Sequence, residues 1–92
     1  MRPTRQHKDL CLGDILIAAN ISYLIIEVKK TWIPSRPEWT GVKGMIIVSS
    51  SNVPELSVLA TRTMTIAPQD LTFEAKDGMY KIWLLRPNYK QR

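Results

Sequence analysis

The side chains most often found at reacting centres, histidine and cysteine, occur once each, as His7 and Cys11. A nucleophile of the serine or cysteine type needs a base beside it and a third group to orient that base. His7 stands in a run of basic and polar residues with nothing to hold its ring. One histidine and one cysteine also fall short of the four ligands of a structural zinc site. The carboxylates Asp14, Glu27, Asp70 and Glu74 are the remaining candidates for acid–base work. Asp14 follows a glycine and Asp70 follows Pro68-Gln69, places where aspartate commonly ties a turn. No glycine-rich phosphate loop with a Lys-Ser/Thr ending is present. Gly41-Val42-Lys43-Gly44 has the Gly-x-x-Gly form of a KH-domain loop, but no helical pattern flanks it, and it reads as a turn between strands. The expectation is a protein without catalysis, bound metal or cofactor.

Charge and aromatic placement say more. The net charge is +5, and it is carried by the chain ends. Residues 1–8 hold Arg2, Arg5 and Lys8 with no acid, and residues 86–92 hold Arg86, Lys90 and Arg92 with no acid. The stretch between them is close to neutral. Basic ends can simply keep a small domain soluble, or they can reach for an anionic partner such as nucleic acid. Tyr89 between Arg86 and Lys90 fits the second reading, with cations for phosphates and a ring for a base. Lys43 and Lys29-Lys30 would add a small basic edge, against Glu27 and Glu38. A second cluster, Trp32, Arg36 and Trp39 among two prolines, is rigid and rich in the anchors protein interfaces favour. Either indole could instead plug an end of the core. Trp83 is equally open as platform or lid.

The elements that position these residues read as strands. Ile15–Ala19 is a short apolar run. Tyr23–Lys29 alternates, with Leu24, Ile26 and Val28 on one face and Tyr23, Ile25, Glu27 and Lys29 on the other. Seven β-branched residues between Ile15 and Thr31 weigh against a helix there. Asn20, Ile21 and Ser22 supply a turn. Further strands are expected over Met45–Val48, Leu56–Ile66, Thr72–Ala75 and Met79–Leu85. Arg62 interrupts an apolar face and is placed at a rim where its head reaches water. Asp77-Gly78 marks a hairpin, and Pro68-Gln69-Asp70-Leu71 a single helical turn with Leu71 inward. The chain thus divides into a basic tail (1–8), one β-barrel domain (9–85) and a second basic tail (86–92). The lone Cys11 suits a reducing compartment. The longest apolar run is too short to span a bilayer, and no signal peptide is evident, so a cytoplasmic location is expected.

Gly13-Asp14-Ile15, a strand with an antiparallel partner, a long loop, and a later strand ending in Pro68-Gln69-Asp70-Leu71 resemble a Src-homology-3-like small barrel. The resemblance covers roughly residues 10–75 and concerns the fold type. It implies a mostly β domain of five to six antiparallel strands with one short helical turn near 68–72. Toxin endoribonucleases on this barrel carry Arg-Pro directly before an apolar strand, whereas Arg36-Pro37 stands well before Met45 here. Two functions are carried forward. The first is sequence-tolerant nucleic-acid binding through Arg2, Arg5, Lys8, Lys43, Arg86, Tyr89, Lys90 and Arg92, helped by Trp39. The second is a protein-docking module using Trp32, Arg36 and Trp39, as the resemblance implies for accessory or host-directed proteins of viruses and for subunits of larger assemblies.

Overall fold

The computed structural model describes residues 4–5, 9–29, 39–67, 69–75 and 78–86. Among them, seven strands form one antiparallel sheet: β1 Ile15–Ala18, β2 Ile21–Lys29, β3 Thr40–Ser49, β4 Thr61–Ala67, β5 Thr72–Ala75, β6 Gly78–Lys81 and β7 Trp83–Leu85. The order across the sheet is β6-β5-β4-β3-β2-β1-β7. Only Ile82 separates β6 from β7. The final extended segment therefore pairs with β5 in its first half and with β1 in its second. That exchange of partners curls the sheet into a nearly closed barrel. The run expected as one strand over Met79–Leu85 thus counts as two. Ile82, fully buried, anchors the crossing by donating its N–H to the Leu71 carbonyl at 2.8 Å.

The core lies inside the barrel. Leu16, Tyr23, Ile25, Val42, Ile46, Met64, Ile66, Phe73, Ile82 and Leu84 are each at most 1% exposed. Alternation along β2 is as read, but the buried face is Tyr23 and Ile25, and Ile26 is exposed. Two irregularities in the β2–β3 pairing, between Ser22 and Tyr23 and between Ile25 and Glu27, set that register. Such bulges add the local twist a barrel needs.

Three turns differ from expectation. The hairpin between β1 and β2 is Ala19–Asn20, with Ala18 opposite Ile21, so Ile21 and Ser22 belong to the strand. Ala19 holds φ +50, where glycine or asparagine is usual. Gly41 and Gly44 form no turn; both lie within β3. The strand expected from Leu56 begins at Thr61, because Pro54–Leu56 forms a 3-10 turn and Ser57–Ala60 a second turn. At 69–71 the Leu71 N–H reaches the Ala67 carbonyl at 2.8 Å, closing one helix-like turn, and Leu71 is fully buried as expected. β5 and β6 face each other from Ala75 opposite Gly78, the hairpin read from Asp77-Gly78. No helix among the described residues is long and apolar enough to cross a membrane.

Candidate nucleic-acid interface

Thr4, Arg5 and Arg86, the described residues of the two basic ends, all contact the barrel. Thr4 and Leu84 exchange backbone hydrogen bonds in both directions, at 2.7 and 2.6 Å, which fixes Thr4 beside β7. Arg5 then projects its guanidinium over the Trp83 ring, 5.4 Å from the centroid, and donates from Nη2 to the Asp70 carbonyl at 2.8 Å. Trp83 remains 47% exposed, and it is the one aromatic among the described residues that faces solvent to this extent. Met79 and Lys81, exposed on the same outer face of the β6–β7 segment, extend this surface. Trp83 therefore faces outward and does not lid the core.

Arg86, two residues beyond Leu84, is held by the barrel. Its Nε and Nη2 donate to the two oxygens of Asp14 at 2.9 and 2.8 Å, a bidentate fork. Nη2 also donates to the Asp9 carbonyl at 2.7 Å. The Asp14 side chain is 3% exposed and that of Arg86 37%. The hydrogen bond to Asp14 is the largest influence holding the Arg86 guanidinium above its ordinary pKa, against the opposing effect of desolvation. Asp14 ties the local turn as read, accepting the Cys11 N–H at 2.9 Å. Its long-range partner, 72 residues away, was not foreseen.

The other residues singled out are distributed as follows. Lys43 Nζ sits 3.8 Å from Glu27, which also lies 3.9 Å from Lys29, so one carboxylate is shared between two half-exposed lysines. Trp39 is half-buried at the start of β3. Arg2, Lys8, Trp32, Arg36, Tyr89, Lys90 and Arg92 lie outside the described residues.

A second feature is a cleft of about 260 Å³ where the barrel parts between the β1–β2 turn and the edge strand β6. Asn20, Ser50, Phe73 and Tyr80 are among the residues that line it. At the mouth, Arg62 Nη1 donates to the Tyr23 hydroxyl at 2.9 Å. Its guanidinium lies 5.7 Å from the Phe73 centroid and 5.8 Å from that of Tyr80. Arg62 is thus on the rim, as its break in the apolar pattern suggested. The gathering of aromatics around it had no local signal, since Tyr23, Arg62, Phe73 and Tyr80 come from four different strands. No group of three or more metal-ligating side chains gathers among the described residues. Comparison with protein-family models, curated proteins and solved structures found no match.

Proposed function

We propose that this chain is a small non-catalytic binding module, a barrel of the Src-homology-3-like type, that holds single-stranded nucleic acid along the outer face of β6–β7. One observation carries the reading: Thr4 pairs with Leu84, two residues before Arg86, and Arg5 lies over the exposed indole of Trp83, so the described residues of the two basic ends meet at β7. Cations attached close together can neutralise neighbouring phosphates, while an exposed indole offers a face for a base. Arg86 is better understood as part of the scaffold, because Asp14 already takes its fork. The contacts to phosphate fall to Arg2, Lys8, Lys90 and Arg92, with Arg5 and Lys81 beside the indole.

The test is a salt titration of binding to a short single-stranded oligonucleotide. With about four phosphates neutralised, log K should fall against log salt with a slope of about −3. Replacing Arg2, Lys8, Lys90 and Arg92 by Gln should flatten that slope. Trp83→Ala should weaken binding roughly 5- to 150-fold at fixed salt, the range for one stacked base. A salt-independent affinity, or none, rejects the proposal.

A second reading, docking to a protein, is favoured by Leu59. It is 69% exposed and holds φ +79 in the turn closed by Ala60 N–H to Ser57 carbonyl at 3.0 Å. A leucine in that conformation costs on the order of 1–2 kcal/mol and returns no burial. Val48, Val53 and Val58 are also exposed, and Glu55 is the sole charged residue between Gly44 and Thr61. Leu59→Gly should leave stability unchanged or raise it by up to about 1 kcal/mol, the relieved strain offset by glycine's entropy. On this reading it would also abolish capture of an apolar protein partner. A clear loss of stability in urea denaturation would mean that the leucine supports the fold instead.

A further inference from the structure

The cleft at the barrel mouth is not used by the surface just described, and its chemistry is specific. Two rings, Phe73 and Tyr80, stand 5.0 Å apart at a 35° tilt, and Tyr23 meets Phe73 edge-on at 5.9 Å. The Arg62 guanidinium lies over two of these rings and donates to the Tyr23 hydroxyl, which holds it beside them. Asn20 and Ser50, both exposed, also line the cleft with the apolar Leu56 and Ile21. A volume of about 260 Å³ suits one small ring system; an engineered cavity of roughly 150 Å³ already takes benzene. Tyr23 and Phe73 are buried behind the cleft, so Tyr80 and the Arg62 guanidinium are its flat groups with accessible surface. An aromatic ring and a guanidinium beside hydrogen-bonding groups are how proteins receive a base turned out of a single strand.

The cleft also connects to the proposed binding face. Tyr80 lines it, and Trp83 lies three residues further along the same extended segment. That spacing is about 10 Å at the rise of a strand. Alternation sends Trp83 outward and turns Tyr80 toward the cleft. A strand stacked on Trp83 could therefore turn a neighbouring base around the edge of β6.

We infer that the cleft between the β1–β2 turn and β6 is a pocket for a single nucleobase, read at its rim by Asn20 and Ser50 and flanked by Arg62, Phe73 and Tyr80. The inference rests on the nucleic-acid reading for the strand that delivers the base. Its test does not depend on that strand. Uncharged nucleosides (adenosine, cytidine, guanosine and uridine) are titrated separately into the full chain while the aromatic NMR signals of Tyr23, Phe73 and Tyr80 are followed. At least one nucleoside should give saturable shifts at these rings.

Ser50→Trp, which fills the mouth from an exposed loop position, should remove those shifts; Asn20→Trp serves if that variant fails to fold. The plug should also weaken oligonucleotide binding about ten-fold while the salt slope stays unchanged, one base contact being lost and no phosphate contact. If oligonucleotide binds with the expected slope while no nucleoside shifts the rings and the plug changes nothing, the pocket is rejected and the binding face stands. If nucleosides bind and no oligonucleotide does, the face is rejected and the pocket stands. If neither binds, both fall.

Discussion

Arg86→Ala is expected to cost more stability than any substitution of its partner Asp14, although Arg86 is the more exposed of the two. The carboxylate of Asp14 is 3% exposed and takes both arms of the guanidinium fork, while the Arg86 side chain is 37% exposed. Removing the arginine leaves a buried charge with only the Cys11 N–H to stabilise it. Stranding a buried charge in this way costs about 3–5 kcal/mol. Removing the carboxylate instead leaves a cation that water can reach, plus one unpaired Cys11 N–H. For Asp14→Ala that amounts to about 1–3 kcal/mol, and less for Asn, which keeps an acceptor. Arg86→Lys should fall in between, since it restores charge without the planar fork. Urea denaturation of the four variants gives the ranking. A smaller loss for Arg86→Ala than for Asp14→Ala would mean that water already solvates the carboxylate.

The size of this effect bears on function. A domain of this length has on the order of 5–14 kcal/mol of stability in all. Losing about 3–5 kcal/mol of that unfolds part of the population when the total lies at the low end of the range. Arg86→Ala would then weaken nucleic-acid binding without touching a phosphate. The same caution applies to truncation after Leu85. Binding tests therefore belong at Arg2, Lys8, Lys90 and Arg92.

Much of the architecture could be read from residue order because its causes are local. Alternation located β2, β-branched residues argued against helix, and Asp77-Gly78 announced the β5–β6 hairpin. What escaped depends on contacts between distant parts of the chain. The alternation in β2 sets Ile26 with Leu24 and Val28 and Ile25 with Glu27 and Lys29, yet Ile25 is buried and Ile26 exposed. A register shift in the pairing with β3 falls between Ile25 and Glu27, a feature no local pattern announces. The candidate site divides the same way. Arg62 is visible as a charge within an apolar face, whereas Trp83 reads equally as platform or lid until the barrel shows it facing outward. Neither reveals that Tyr23, Phe73 and Tyr80 surround the first, or that Arg5 covers the second. Arg86 looked like part of a tail because its partner stands 72 residues earlier.

Gly44 is the clearest case of one letter with two meanings, and the second large effect is expected there. A glycine between apolar segments reads as a turn, but a buried strand glycine can mark a place where another group comes too close for any side chain. Gly44 lies in β3 opposite Ile25 on β2 and Arg62 on β4. A Cβ at this position would stand 2.8 Å from the Met64 Cε and 3.0 Å from the Tyr23 Cβ. The methionine tip can rotate away; the tyrosine Cβ is fixed to the backbone and must carry its strand with it. Gly44→Ala should therefore cost about 2 kcal/mol, within the usual range for overpacking, and Gly44→Val more. For a domain of this size that lowers the thermal midpoint by roughly 8–16 °C in the alanine variant. The displacement should reach the cleft, because Tyr23 is the residue whose hydroxyl fixes Arg62. Gly44→Ala should accordingly weaken nucleoside binding at temperatures where the barrel is still folded, while the salt slope set by the basic ends stays the same. A Gly44→Ala midpoint within a degree or two of wild type would show that β2 and β3 can part without penalty. The tight approach of Tyr23 would then no longer account for the glycine.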